Sequence, residues 1–210
     1  MSRARILRAN AENRPEFVPL PPAFSGGLEF SDLGTQFAAA VGDAGGRCVE
    51  LPDLTELGRE VDEVLPGASA VYSAVAEFSS RGCELTGESA PHDCAALDIA
   101  VAHGSFGVAE NGAIWLPADA LQPRSALFLT QHLVLLLEVS QLCSNMHEAY
   151  DRLAAAPMPA FGTFISGPSK TADIEQCLVM GAHGPRSLLV ILHGAAPSSA
   201  AGGYELHGEN

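Results

Sequence analysis

Positive charge is scarce in this chain. Its 210 residues include 11 Lys and Arg against 25 Asp and Glu, which gives a formal net charge of −14. The phosphate backbone of a nucleic acid would be repelled over most of such a surface, so we do not expect nucleic acid as a partner. Long apolar runs are missing too. The longest candidate, Ala126 to Val139, is broken by polar residues and is shorter than the roughly 18 apolar residues of a membrane span.

Paired cysteines and glycine-rich nucleotide motifs are also absent. Without a C-x-x-C pair, spacing indicates neither a zinc site nor an iron–sulfur cluster, and separated thiols favour a reducing, cytoplasmic location. The chain lacks G-x-G-x-x-G, G-x-x-x-x-G-K-[ST] and G-x-S-x-G. The usual support for a nicotinamide dehydrogenase, a P-loop nucleotidase or an α/β-hydrolase is therefore missing. The five cysteines are Cys48, Cys83, Cys94, Cys143 and Cys177.

The chain can bury a large hydrophobic core, because 47% of its residues are hydrophobic and 17% are charged. Short apolar runs without period-two alternation are interleaved with helical periods. We therefore predict an α/β domain with an open, mostly parallel sheet, helices on both faces, and a ligand crevice beyond the carboxyl ends of the strands. The predicted strands are Arg47–Leu51, Ala68–Tyr72, Leu97–Val101, Ala113–Leu116, Leu133–Leu137, Phe161–Ile165 and Leu188–Leu192. The predicted helices are Leu33–Val41, Leu54–Val64, Ala74–Arg81, Ser140–Ala155 and Thr171–Met180.

The two ends of the chain are expected to lie outside this domain, which we place at residues 23–194. Residues 1–14 predict a short amphipathic helix on the body, although their arginines also suit a transit peptide. The prolines that follow, up to Pro22, predict an extended arm because each removes an N–H donor and fixes φ. Residues 195–210 are rich in Ala, Ser and Gly and predict a mobile tail.

The first candidate site is the segment Gly162 to Glu175, in which an apolar strand ends at Ser166 and Gly167-Pro168 turns the chain. Thr171 is then placed to cap a helix. Backbone N–H groups at a helix start, together with the side chains of Ser169, Lys170 and Thr171, would suit a carboxylate or a phosphate. Asp173 and Glu175 could instead satisfy the helix dipole themselves, so plain helix capping stays open.

The second candidate is the tight turn Glu110-Asn111-Gly112 between two apolar runs. A hairpin needs Asn-Gly for positive φ, which explains two of the three residues without any function. A glutamate held at such a turn could act as a nucleophile or a general base. Asp98, on a neighbouring predicted strand, could form a carboxylate pair with it.

Histidines mark several predicted element ends and could converge on one site. No two of them have the spacing of a metal motif such as H-E-x-x-H, so we predict no metal in this chain. A structural role is the alternative for each one. The four are His103, His132, His183 and His193.

The run Phe164-Ile-Ser-Gly-Pro-Ser-Lys-Thr-Ala-Asp-Ile-Glu175, continued by Leu178 to Pro185 and Leu188 to Leu192, resembles the LUD domain of the lactate-utilisation protein C (LutC) family. Val18 to Pro22, Gly107 to Leu116 and Gln131 to Val134 follow the order of that family. The likeness extends over nearly the whole chain to Leu192. One departure is Glu110-Asn-Gly-Ala113, where the family more often has Glu-Thr-Gly followed by Ser or Thr.

This resemblance implies a fold similar to the glucosamine-phosphate deaminase, ribose-phosphate isomerase and coenzyme A transferase group (NagB/RpiA/CoA transferase-like). It also implies a role in bacterial oxidation of L-lactate to pyruvate beside two partner proteins that carry iron–sulfur clusters, with no cofactor in this chain. Glu110 is the predicted catalytic residue, and the expected ligand is a small carboxylate or the redox site of a partner. The predicted binding residues are Asn111, Gly112, His132, Ser166, Gly167, Ser169, Lys170, Thr171, Asp173 and His183.

Two other functions stay open at this stage. Glu110-Asn111-Gly112 also looks like the turn of class I coenzyme A transferases, in which the glutamate forms an acyl thioester. That likeness implies an acyl or coenzyme A transferase. The other possibility is a structural subunit that keeps the pocket of the family without its chemistry.

Overall fold

Five apolar runs of the sequence form one parallel sheet, and the other elements pack around it. The computed structural model describes residues 2–15, 18–19, 26–157, 159–174 and 177–194. The predicted tail at 195–210 and most of the predicted arm lie outside the described residues. The helices are α1 (Arg3–Glu12), α2 (Leu33–Asp43), α3 (Leu57–Val64), α4 (Ala126–Leu129) and α5 (Met146–Ala154), with 3-10 turns at Pro91–Ala96 and Val139–Gln141.

The strands are short, as their apolar runs predict. They are β1 (Arg47–Leu51), β2 (Val71–Ser73), β3 (Ile99–His103), β4 (Phe106–Val108), β5 (Ala113–Pro117), β6 (His132–Glu138), β7 (Leu142–Cys143), β8 (Gly162–Ile165), β9 (Lys170–Ile174), β10 (Cys177–Met180) and β11 (Ser187–His193). The central sheet has the order β1-β11-β6-β3-β2, and all of its neighbours are parallel.

Both faces of this sheet are covered, which explains why its strands show no polar alternation. On one face, Leu135 of β6 packs in a cluster with Phe37 of α2 and Ile114 of β5. On the other face, Leu136 packs in a cluster with Leu57 and Val61 of α3. The prediction of a mostly parallel sheet with helices on both faces is confirmed.

A second sheet was not predicted. Its order is β7-β4-β5-β8, and one of its faces packs on α5 through a cluster that includes Trp115 and Leu153. A separate antiparallel hairpin consists of β9 and β10. The molecule is therefore layered as α3, the parallel sheet, α2 with the second sheet, and α5.

The predicted helix Thr171–Met180 is wrong, because this stretch forms the β9–β10 hairpin. Lys170 pairs with Met180 and Thr171 pairs with Val179. Thr, Ile and Val are residues that favour strands, and the partner strand supplies the backbone hydrogen bonds that a helix would otherwise make. Asp173, one of the acidic residues that resembled a first helical turn, lies in β9.

The predicted helix Ala74–Arg81 is also wrong. Val75 and Phe78 are both buried against the central sheet, and their spacing of three residues imitates a helical period. The segment instead folds back on itself: Arg81 and Val71 exchange two backbone hydrogen bonds, and Ser80 Oγ accepts one from Ser73 N at 2.9 Å. Such side-chain bonds compete with helix formation.

The helix predicted for Ser140–Ala155 begins only at Met146. Asn145 caps it by accepting hydrogen bonds from His147 N and Glu148 N, and the residues before Asn145 form a 3-10 turn and β7. At the other end of the chain, α1 forms within the predicted N-terminal helix, and all of its residues are exposed. No helix in the described part of the chain is long and apolar enough to cross a membrane.

Candidate functional site

The described part of the Gly162–Pro185 segment, which we call the signature segment, lies beside the amino ends of β6 and β11, and we call its turn at residues 166–169 the signature loop. Ser169 N donates to Pro185 O at 2.9 Å, and Gly181 N donates to Ser169 O at 2.9 Å. These two bonds fasten the base of the β9–β10 hairpin to the chain just before β11. We call this side of the parallel sheet, where its strands begin, the amino edge. It is opposite to the carboxyl edge at which the ligand crevice of an open α/β sheet is expected.

The predicted Gly167-Pro168 turn is present and is packed against the end of α2. Gly167 has a φ of 75°, and a Cβ at this position would collide with the carbonyl oxygen of Ala44. Lys170 lies over the turn that leads from α2 to β1, because a Cβ on Gly45 would lie 3.3 Å from Lys170 Nζ. Only glycine allows this approach of the two backbones.

The predicted anion site at a helix start does not form, because β9 occupies that place. Backbone N–H groups of a strand are used in its ladder and do not converge on one point as those of a helix terminus do. Thr171 lies in the ladder opposite Val179. The side chain of Asp173 falls outside the described part of the structure.

Three adjoining cavities follow the amino edge. The first, of about 210 Å³, lies between the signature loop and the starts of β6 and β11, and Gly167, Ser169 and His183 line it. The second, of about 330 Å³, shares His183 and also contains Gln131. The third, of about 390 Å³, shares Gln131 and is lined by His132, Arg186 and Asp98. We call these three cavities together the amino-edge groove.

Arg186 supplies the positive charge of the third cavity. Its backbone N–H donates to Gln131 O at 2.8 Å, and its aliphatic stem lies against Gly181, where a Cβ would collide with it. Among the described residues, no carboxylate forms an ion pair with Arg186. The backbone and aliphatic stem of Arg186 are thus held in place, and no described neighbour neutralises the charge of its guanidinium.

His132, the first residue of β6, lies beside Arg186 in this cavity. Its Nδ1 is 2.7 Å from Ser187 Oγ on the neighbouring strand. Burial lowers the pKa of His132, the positive charge of Arg186 lowers it further, and Asp98 acts in the opposite direction. The surroundings therefore favour the neutral imidazole, and Nε2 is the ring nitrogen left for a ligand because Nδ1 is bonded to Ser187.

Asp98 brings a negative charge to the same cavity. Its Oδ2 accepts hydrogen bonds from Ser69 N at 2.8 Å, Ser69 Oγ at 3.0 Å and Ala70 N at 2.9 Å. Backbone donors at Ala70 and Ser69 hold the pKa of Asp98 below its usual value. The carboxylate thus ties the approach to β2 to the start of β3.

The Glu110 turn lies next to the signature loop but directs its carboxylate elsewhere. Ser166 Oγ donates to Asn111 O at 2.7 Å, which joins the two segments. Glu110 Oε2 accepts from Met146 N, the first residue of α5, at 3.0 Å. Gly112 has a φ of 67°, as the predicted Asn-Gly turn requires. Because Asp98 bonds to Ser69 and Ala70 instead, the carboxylate pair suggested for Asp98 and Glu110 does not form.

These elements also occur together in known proteins. The family model of the LUD domain matches residues 72–193, which include the central strands β3, β6 and β11, the Glu110 turn and the signature loop. The chain belongs to the LUD domain family. The match begins within β2 and ends at the last residue of β11.

Several known proteins resemble this LUD domain in sequence. It is 31% identical over 198 residues to lactate utilization protein C of Deinococcus radiodurans, over 90% of this chain and 92% of that protein. It is 35% identical over 94 residues to the uncharacterized protein YkgG of Escherichia coli, and 33% identical over 97 residues to the uncharacterized protein NMB1437 of Neisseria meningitidis. The matched part of the chain spans about two fifths of the length of these last two relatives, 40% and 42%.

A solved structure has the same fold as this LUD domain. It is a DUF162 family protein from Deinococcus radiodurans, with a TM-score of 0.58, 20% sequence identity, and coverage of 80% of this chain and 99% of that one. At this identity the likeness concerns the fold alone.

The carboxyl edge of the LUD domain carries the other two histidines of interest. His103 ends β3 and His193 ends β11, with ring centroids 6.5 Å apart, and Glu77 Oε2 lies 3.8 Å from His103 Nε2. Burial lowers the pKa of His193, and so does His103, while Glu138 and Glu77 oppose the change. The four predicted histidines therefore do not converge on one site.

Metal-ligating residues do not gather in the described part of the LUD domain. No group of three or more His, Cys, Asp or Glu side chains there has the arrangement that holds a metal ion. Cys48, Cys83, Cys94 and Cys143 are free thiols. Burial raises the pKa of Cys48 to about 12, with Glu50 adding to it, and burial also raises the pKa of Cys143. Thiols of this kind are unreactive at neutral pH.

Sequence reasoning found His132 and His183 but missed Arg186, Gln131 and Ser187. Arg186 directly follows the His183-Gly-Pro185 end of the signature and is one of only 11 cationic residues, a signal that could have identified it. Ser187 becomes visible only through the strand register, which places it opposite His132.

Proposed function

We propose that this LUD domain is a component of a lactate utilisation system and binds a small carboxylate in the amino-edge groove. Support for the first part is the family and the names of relatives such as lactate utilization protein C of Deinococcus radiodurans. Support for the second is a single observation: Arg186, which forms no ion pair with any described carboxylate, lines a cavity of about 390 Å³ together with His132. We assign Arg186 to the carboxylate.

Because the chain is strongly acidic, the position of Arg186 indicates where an anion can bind. A net charge of −14 repels anions in general, so a carboxylate needs a local cation to bind. Arginine offers two parallel N–H donors that match both oxygens of a carboxylate. Asp98 opposes the anion, but three donors already engage its Oδ2.

Oxidation of lactate to pyruvate releases two electrons and two protons. In this proposal, the electrons would pass to the iron–sulfur clusters of the two partner proteins that the family resemblance implies, and the protons would pass to solvent. The LUD domain holds the carboxylate by Arg186, in the cavity that His132 and Asp98 also line.

Calorimetric titration with L-lactate and with pyruvate tests the site. Arg186→Gln should weaken binding at least about tenfold, because a charge-assisted hydrogen bond is worth roughly 1.5–3 kcal/mol. Arg47→Gln is the matched control, since Arg47 is an exposed arginine that begins β1 at the same edge. Absence of binding to the unaltered chain, or equal binding by Arg186→Gln, contradicts the proposal.

A test in cells addresses the role in lactate utilisation. Deletion of the protein should abolish growth on lactate, and the purified chain should support lactate-dependent electron transfer only when mixed with its partners. Normal growth after deletion would refute the role. Activity of the mixture that is unchanged by Arg186→Gln would instead favour a structural subunit.

The transferase alternative has one observation in its favour. Glu110 is exposed on a turn that Ser166 joins to the signature loop. A thioester on Glu110 would be trapped by hydroxylamine after incubation with an acyl-coenzyme A. If no adduct forms, or if Glu110→Gln leaves the amount of adduct unchanged, this alternative is wrong.

A further inference from the structure

We infer that Ser187 is a positioning residue that keeps the ring proton of His132 on Nε2, so that the groove prefers carboxylates with an oxygen on the neighbouring carbon. This inference rests on the proposed carboxylate site. It concerns a residue outside the signature segment and names the ligand class, 2-hydroxy and 2-oxo carboxylates. Carboxylates without this oxygen should bind less well.

The hydrogen bond between the two strands sets the tautomer. Ser187 and His132 are register partners at the starts of β11 and β6, and Ser187 Oγ lies 2.7 Å from His132 Nδ1. This is the sole side-chain hydrogen bond of Ser187 within the described residues. A serine that donates its hydrogen to Nδ1 satisfies both groups with one bond, and the proton of the neutral imidazole is then on Nε2.

The charges around His132 agree with this assignment. Burial and Arg186, just before β11, disfavour a second proton on the ring, and the Asp98 carboxylate, just before β3, opposes them. These are the two charged residues that act on His132 from the neighbouring strands. The cavity therefore contains a neutral imidazole with one N–H donor on Nε2.

Two donors of different kind determine which ligand fits. The Arg186 guanidinium pairs with the two carboxylate oxygens, and His132 Nε2–H then needs one further acceptor oxygen. A hydroxyl or a carbonyl oxygen on the adjacent carbon provides it, whereas a methylene group leaves the N–H without a partner. L-Lactate and pyruvate should thus bind with similar affinity, and both should bind better than propionate.

The test compares L-lactate, pyruvate and propionate on the full chain by calorimetry. We expect the first two to bind about 3- to 10-fold more tightly than propionate, the value of one hydrogen bond. Ser187→Ala should reduce this ratio to about one, and Ser187→Thr, which keeps the hydroxyl, should restore it. The ¹⁵N shifts of His132 should report an Nε2–H tautomer in the unaltered chain and a mixture in Ser187→Ala.

The outcomes separate this inference from the proposed function. If Arg186→Gln abolishes binding but Ser187→Ala leaves the lactate-to-propionate ratio unchanged, the inference is wrong and the carboxylate site stands. An Nδ1–H tautomer in the unaltered chain would overturn it as well. If none of the three ligands binds to the unaltered chain, the carboxylate site itself fails.

Discussion

The amino and carboxyl edges of the parallel sheet differ in structure and in charge. The amino edge is made of backbone segments in close contact and contains three cavities, one of them lined by Arg186, which no described carboxylate neutralises. The carboxyl edge has two histidine rings, His103 and His193, that face the carboxylates Glu77 and Glu138. An anion is therefore favoured at the first edge and disfavoured at the second.

This difference follows from the path of the chain between β6 and β11. In a simple open sheet, that connection would be one helix, and the loops after the strands would form the crevice. Here the connection runs through β7, α5, β8 and the β9–β10 hairpin before it returns to the amino edge at Pro185. The returning segment therefore borders the amino-edge groove, on the side of the sheet opposite to the carboxyl ends of its strands.

The largest effect on this comparison should come from Gly167→Ala, which acts on the amino edge alone. Positive φ is unfavourable for alanine, and its Cβ would collide with the backbone of Ala44. We expect a loss of roughly 2–4 kcal/mol in the free energy of unfolding. Urea denaturation measures it. The 6.5 Å separation of the His103 and His193 rings should stay as it is.

Gly58→Ala provides the control for that experiment. Gly58 lies in α3, and a Cβ there meets nothing within 4 Å. Alanine favours a helix over glycine, so stability should rise by up to about 1 kcal/mol. If Gly167→Ala also raises stability, the close approach of the signature loop to α2 is not what holds the amino edge together.

The parallel sheet was predictable because its strands are encoded locally. Runs such as Leu133–Leu137 and Leu188–Leu192 are apolar throughout, and burial on both faces is the simplest explanation of such a run. The second sheet was harder to predict. Phe106–Val108 and Leu142–Cys143 are too short to show a period, and their pairing depends on residues more than 30 positions away.

The second prediction concerns the hydrogen bond between the Glu110 turn and α5. Glu110→Ala removes the acceptor of the Met146 N–H at the start of that helix, and loss of a comparable helix cap costs about 0.5–2 kcal/mol. Glu110→Gln keeps an acceptor oxygen and should stay within about 0.5 kcal/mol of the unaltered chain. Thermal unfolding of both variants checks this. Equal losses would mean that the charge of Glu110, rather than the hydrogen bond, stabilises the turn.

The site itself was only partly predictable. His132, His183 and the Gly167-Pro168 turn were found from their positions at element ends, and the structure brings all of them to the amino-edge groove. The helix proposed after Ser169 was wrong because acidic residues beside a threonine fit a first helical turn as well as a hairpin. Ser187 gave no local signal, since its contact with His132 exists only when two distant strands lie in register.

The smallest effect should be a difference in pH dependence between the edges. Burial and His103 lower the pKa of His193 below its usual value in the folded state. Protonation therefore favours the unfolded chain. The contribution of His193 to stability is complete above about pH 6.5. It declines as the pH falls from there through the lowered pKa of the folded state.

His193→Gln should make the loss of stability between pH 7 and 5 less steep. Denaturation measured across that pH range checks this. His103→Gln should move the pKa of His193 back towards its usual value, which NMR titration of the ring protons would show. His132 at the amino edge also has a lowered pKa, but Arg186 causes part of that change. Arg186→Gln should thus raise the pKa of His132 and leave that of His193 where it was. A joint shift of both histidines would mean that the two edges are electrostatically coupled through the sheet.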